Sequence, residues 1–272
     1  MTKREHFIPR AAYLRHFSNT HYHDDRQNSL GFYNVQTKKS GRSNVYDLGY
    51  ENCLYEDKSL DFNSVEQFLS EIENDLCPEI AALIGICSSP DNNNALVLHG
   101  ANEKDNLKFF MTLQFFRTPK MRDSYDCEEE ARTSVFLGAL IGKTNDGEWW
   151  IKHNIDSLSN HFFVFERNET STPFVIPDHP ISIMKANEDE QAFNFRFPLT
   201  PFLQVLVIDP KSEDAKNLLK YRNRIRIIPN ELSAVVDVWN RVAVSEAQRF
   251  VYYPPNCICC ETSAGVVFRQ AK

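Results

Sequence analysis

The sequence predicts an α+β fold: a helix-rich first half packed on a mainly antiparallel sheet from the second half, with a long late helix. Three observations carry this reading. The stretch LKFFMTLQFFRTPKMR (107–122) is apolar nearly all round when wound as a helix, and such a helix is normally buried. Ahead of it, Val65, Phe68, Leu69, Ile72, Leu76, Ile80, Leu83 and Ile84 form an apolar stripe at helical spacing. From His161 onward the texture changes to short β-branched or aromatic runs bounded by Pro, Asp or Asn, which read as strands.

In chain order, Pro9 suits the first turn of a short helix burying Tyr13, Leu14 and Phe17, with His6 just before it and Arg10 and Arg15 more exposed. Between Gly31 and Tyr55 the pattern alternates loosely, with TKKSGRSN (37–44) expected as a turn between two strands. Asn63 or Ser64 caps the acidic helix, Ser64 and Gln67 stand in capping-box positions, and Pro78 is expected to kink it. The central helix should end at Thr118, because a residue before proline disfavours helical geometry. Residues 127–142 read as a further helix ended near Gly142, and Trp149, Trp150, Ile151 and Ile155 as a short one. Strands are expected at His161–Arg167, Pro173–Ile176, Phe193–Phe197, Gln204–Ile208 and Ile225–Ile228. Pro229 starts the late helix, whose spacing of Leu232, Val235, Val236, Trp239, Val242 and Ala243 is expected to continue to Phe250, and TSAGVVFR closes as a strand.

Composition narrows the class. Twenty Phe and only nine Gly in 272 residues argue against disorder, and without repeats or a linker the whole chain, 1–272, reads as one domain. The net charge of −7 gives no global basic footprint for nucleic acid, although a local patch is not set by the total. No run of eighteen apolar residues is present and the opening MTKREHFIPR lacks a signal-peptide core, so a cytoplasmic protein without membrane contact is expected. Seven cysteines, an odd number, fit that compartment. Neither THYHDDRQ (20–27), where Arg26 stands in place of the His that HxHxDH requires, nor Cys257, Cys259 and Cys260 shows a full ligand set, so no metal or other cofactor is expected.

Within the central helix, Gln114 and Arg117 are an amide and a cation carried toward the interior, where an unpartnered group costs several kcal/mol, roughly 2–7 for a neutral amide. Arg117, Lys120 and Arg122 cluster at its C-terminal end, where cations favour the helix dipole. Glu66 and Glu73 lie a heptad apart on the acidic helix, either as a solvated face or with one of them meeting Arg117.

An ordered series of short motifs then resembles a family catalogued as domain of unknown function 4238. It comprises His6-Phe7-Ile8-Pro9 with Tyr13-Leu14 and Phe17, the helix around Glu66 and Glu73, Gln114, Arg117-Thr118-Pro119 and Arg122. PFVIPDHPI (173–181), Phe197-Pro198-Leu199-Thr200-Pro201 and Trp239-Asn240 complete it. Pro177 and His179 depart from the Ser and Asn usual there, so only Asp178 and Pro180 carry over in that segment. The resemblance implies one domain with a shared polar site, and no reaction.

His6, Gln114, Arg117 and Asp178 are therefore the candidate catalytic residues, with Arg10, Arg122 and Glu73 as candidate ligand-binding residues. An arginine holds phosphate oxygens bidentately and a histidine moves a proton near neutral pH, which suits attack on a phosphate-bearing substrate such as RNA or a nucleotide. The alternative is a non-catalytic ligand-binding or sensor module whose buried Arg, Asp and Glu are structural. An open pocket holding His6 and Arg117 would favour the enzyme, and a closed, fully paired network the scaffold.

Overall fold

The computed structural model describes residues 4–11, 13–18, 20, 22–56, 64–146, 150–156, 158–185, 192–263 and 265–271. The first segment is a strand, β1 (Arg4–His6), rather than the approach to a helix, and Leu14–Phe17 is only a single 3-10 turn. The hairpin of β2 (Ser29–Asn34) and β3 (Lys39–Asn44) follows, and β4 (Tyr50–Asn52) pairs antiparallel with β1, setting His6 opposite Tyr50. The expected turn TKKSGRSN thus holds a strand. β3 is the polar edge of its sheet, and Gly41 lets the Phe32 ring lie where a side chain would come within 2.7 Å of it.

Five helices come next: α1 (Ser64–Ser88), α2 (Ala101–Phe116), α3 (Pro119–Ser124), α4 (Glu129–Ile141) and α5 (Trp150–Asp156). Asn63 and Trp149 lie outside the described residues. α1 continues through Pro78 as one helix, since Leu76, Ile80 and Leu83 are buried on either side and hold the axis across the missing hydrogen bond. α2 buries Leu107, Phe110, Met111, Leu113 and Gln114 and leaves Phe109, Phe115 and Phe116 half-buried. Lys108 and Thr112 are buried too, so the polar positions of this helix also face protein.

The second half supplies β5 (Phe162–Asn168), β6 (Ile176–Pro177), β7 (Ser182–Lys185), β8 (Phe193–Thr200) and β9 (Leu203–Ile208). After the short α6 (Ala215–Leu218) come β10 (Arg224–Ile228), α7 (Ser233–Glu246), β11 (Phe250–Tyr253), β12 (Cys257–Thr262) and β13 (Gly265–Gln270). The main sheet has the order β10-β5-β9-β8-β7 and is antiparallel except for the parallel β10–β5 edge. A second sheet, β3-β2-β11-β6, joins the beginning of the chain to its end. β5 and β9 are buried along their whole length, so both faces meet protein and their polar members Glu166, Arg167, Asn168 and Gln204 are enclosed with the apolar ones. The largest core cluster draws on residues from Phe7 to Tyr252 and includes α1, α2 and the inner face of the main sheet.

The late helix stops at Glu246, not at Phe250. Ala247 turns to extended geometry, and the backbone N–H groups of Gln248, Arg249 and Phe250 are taken by the Asp178 carboxylate at 2.7–2.8 Å. A carboxylate from another element outbids helical continuation for these donors and starts β11 instead.

The packing makes a stability prediction. Phe110 is fully enclosed and touches Phe197 of β8, so Phe110→Ala should cost about 3–5 kcal/mol in denaturant unfolding. Phe115→Ala should cost clearly less, because Phe115 is only half-buried. Equal losses would show that α2 does not seat the core through Phe110.

Candidate functional site

Arg117 is the C-cap of α2 and is buried at 2% exposure. Its guanidinium is committed on three sides. Nη1 donates to Glu73 Oε1 of α1 at 2.5 Å, Nη2 to the backbone carbonyl of His6 at 2.5 Å, and Nε to the Tyr55 hydroxyl at 3.4 Å. Tyr55 in turn donates to the Arg117 carbonyl at 2.9 Å, and the Tyr55 N–H donates to Glu5 Oε2 at 2.6 Å. Burial alone would lower the Arg117 pKa, but the neighbouring Tyr55 and Glu73 raise it above its ordinary value, so the group stays a cation. This ring ties α1, α2 and β1 together and is closed.

None of the other candidate catalytic residues brings its side chain to this ring. His6 meets Arg117 through its backbone; its imidazole Nε2 lies 3.3 Å from the Tyr46 carbonyl, and burial, reinforced by the Arg10 charge, lowers its pKa to about 4. Gln114 is fully buried, and neither end of its amide has a hydrogen-bond partner among the described residues. It does not join the Arg117 ring, although the two lie one turn apart. Asp178 holds the start of β11; burial raises its pKa while the three N–H groups oppose that rise. Of the candidate ligand-binding residues, Glu73 belongs to the Arg117 ring, Arg10 approaches Asp25 at 3.6 Å, and Arg122 pairs with Glu51 and Asp123.

The two central segments are nevertheless stitched together one residue along. Thr118 Oγ1 and His179 Nδ1 are hydrogen-bonded at 2.7 Å, both residues are buried, and Phe115 packs edge-on against the imidazole. Burial, with Lys120 nearby, lowers the His179 pKa to about 3. The backbones of 117–119 and 177–179 therefore converge, while the polar ends of Arg117, His6 and Asp178 point to separate partners.

Next to this junction lies a groove of about 740 Å³. Pro119 and Asp123 of α3, Tyr50, Glu51 and Asn52 of β4, and Asp178 with Gln248 and Arg249 border it, over a floor that includes Phe32, Phe250 and Tyr252. Asp47, Glu51, Asp123 and Asp178 supply carboxylates to its lining, with Arg249 as a cation, but Asp47 is paired with Arg4, Glu51 and Asp123 with Arg122, and Asp178 with three backbone N–H groups. Sequence reasoning reached Asp178 but missed the groove, because its walls come from residues 7 to 252 and no local spacing links them.

A second buried polar chain crosses the main sheet. Arg196 Nε donates to Gln204 at 2.5 Å, Gln204 to Glu166 at 2.6 Å, and Arg226 to the other oxygen of Glu166 at 2.8 Å, spanning β8, β9, β5 and β10 in order. Arg196 also lies over the rings of Phe174 and Trp239. The signal available for it was an arginine set between phenylalanines in FNFRFPLT.

The family model described as Protein of unknown function (DUF4238) matches residues 4–256. The chain belongs to this family. No curated protein and no solved structure matches it. The DUF4238 match takes in the Arg117 ring, the Thr118–His179 junction and the groove, and it stops before the β12–β13 hairpin. That hairpin carries Cys257, Cys259 and Cys260. Among the described residues no three His, Cys, Asp or Glu side chains are grouped as metal ligands, and His21 lies outside them. No helix among the described residues is long and apolar enough to cross a membrane.

Two predictions follow from the buried charges. Glu73→Ala leaves the Arg117 cation short of its carboxylate and should cost about 2–4 kcal/mol, discounted from a fully buried pair because Glu73 is partly exposed. The histidines set a pH dependence. Their folded pKa values lie below the ordinary 6.5, so the unfolded chain takes up protons first and stability falls as pH drops from about 6.5 toward 4. At about 1.4 kcal/mol per unit, His6 alone accounts for a loss on the order of 3 kcal/mol. Thermal melts between pH 7.5 and 4.5 should show this, and the paired changes His6→Gln and His179→Asn should flatten the curve. An unchanged slope in the double variant would refute the assignment.

Proposed function

We propose that this protein is a ligand-binding module, with the groove beside Asp178 as its site and the Arg117 ring as its frame. The closed state of the Arg117 guanidinium is the observation that carries this reading. A phosphate clamp has to offer accessible N–H groups, and Arg117 is buried, with three of its five N–H groups given to Glu73, His6 and Tyr55. Its role is positional: it fixes β1, on which β4 and the Tyr50–Asn52 wall depend, and it leads directly into Pro119 and α3 on the facing wall.

The groove is of the size of small-molecule sites, which run roughly 300–1,000 Å³. Carboxylates, the amides of Asn34, Asn52 and Gln248, and an aromatic floor suit an uncharged or cationic polar molecule of sugar or nucleoside size better than an anion. The phosphate-cleaving reading from the sequence has one support, the guanidiniums that lie over Tyr46, whose ring centroid stands 6.4 Å from that of His6. A base whose pKa is lowered to about 4 and whose Nε2 faces a carbonyl is poorly matched to proton transfer near neutral pH.

Backbone amide NMR with neutral, cationic and anionic fragments tests the proposal. Uridine, glucose or putrescine should shift the amides of Tyr50–Asn52 and Gln248–Phe250, and the pair Gln248→Ala with Asp123→Asn should weaken that binding about fivefold or more. If citrate alone shifts these amides, or if no fragment does, the groove reading fails.

A further inference from the structure

Beside Asp47 and Tyr50, which also line the groove, the chain gathers cations around one aromatic ring. Tyr46 lies in the 3-10 turn Val45–Asp47, and the guanidinium carbons of Arg26, Arg4 and Arg10 stand 4.4, 5.4 and 5.4 Å from its ring centroid. Arg4 also lies 4.7 Å from the Tyr50 ring. These arginines come from β1, the segment after it, and the turn Asp25–Gln27, so no local sequence rule assembles them.

Like charges collected this way repel unless something offsets them, and the carboxylates present do so only in part. Asp47 pairs with Arg4. Asp25 is shared: Arg15 takes it at 2.8 Å, while Arg10 stands off at 3.6 Å. Asp24 spends a carboxylate oxygen on the Arg26 backbone N–H. Among the described residues the Arg26 guanidinium makes no ion pair, and both Arg26 and Arg10 reach solvent. Arg4, Arg10, Arg15 and Arg26 thus face the three carboxylates Asp24, Asp25 and Asp47, with Asp47 also near enough to Arg26 to feel its charge, and a small local excess of positive charge is left on a chain of net charge −7.

We propose that Arg4, Arg10 and Arg26 around Tyr46 form a binding site for a multiply charged phosphate, either pyrophosphate or the polyphosphate of a nucleotide. Planar guanidinium forks match phosphate oxygens bidentately, and an aromatic ring presses them into place without consuming their charge. A polyphosphate has oxygens enough to answer several forks at once, where a single carboxylate answers one. The site adjoins the groove at Asp47 and Tyr50, and the two are told apart by the side chains each ligand needs, Arg10 and Arg26 here and Gln248 there.

Titration calorimetry of the full chain with pyrophosphate, adenosine triphosphate and adenosine tests this. Saturable pyrophosphate binding is expected, weakening as salt is raised, with adenosine inert. Arg26→Gln and Arg10→Gln should each weaken it about tenfold with an unchanged melting temperature, because both side chains reach solvent. Gln248→Ala, which alters the groove, should leave it unchanged. Equal affinity for pyrophosphate and adenosine triphosphate assigns recognition to the polyphosphate alone; tighter binding of the nucleotide adds a base contact, and either supports the site. Absent pyrophosphate binding, binding indifferent to both arginine changes, or binding of single-stranded RNA without binding of pyrophosphate would overturn it.

Discussion

One guanidinium, that of Arg117, holds the two ends of the helical layer and the first strand in register. An ion moved from water into protein is unstable by several kcal/mol unless its hydrogen-bonding capacity is met. Here it is met by a carboxylate from α1, a carbonyl from β1 and a hydroxyl from the segment between them, with the cation itself at the C-terminal end of α2. Each partner belongs to a different element, so the charge can be satisfied only if all of them arrive together. Apolar residues of the same volume could fill that space, but they would tolerate sliding between α1 and α2, and the ring does not.

Asp178 acts by the same logic in another place. Its carboxylate collects three successive N–H groups and so marks where α7 ends and β11 begins. Because β11 pairs with β2 on one side and β6 on the other, this anion decides how the second sheet is seated on the body of the fold. The groove wall formed by Gln248 and Arg249 is a by-product of that arrangement, which is why a structural carboxylate also borders the groove.

Much of the fold was legible because its signals are local. The apolar stripe of α1, the all-round apolarity of α2, and the β-branched runs of β5, β9 and β10 each announce themselves within a dozen residues. Three features were not. β3 is a strand of Lys, Ser, Gly, Arg, Ser and Asn, whose place is set by its pairing with β2 and not by its own propensities. The C-terminal end of α7 depends on a carboxylate some seventy positions earlier in the chain. His6, Gln114, Arg117 and Asp178 are buried polar groups, yet spacing reveals burial and not direction. Nothing in the string says that Arg117 meets His6 through a carbonyl, or that Thr118 and His179 make the direct contact.

The second sheet also imposes an order on synthesis. β2 and β3 leave the ribosome early, but β11, the strand that covers the free edge of β2, begins at Phe250. At 5–20 residues per second, roughly 10–40 s pass between the two. Throughout that interval Phe32 and Tyr33 present an uncovered edge, a template for any passing strand. The polar outer strand β3 guards the other side of the hairpin, and positions such as Lys39 and Arg42 keep it from adding a neighbour. The nascent chain is thus guarded on one flank and open on the other until β11 arrives.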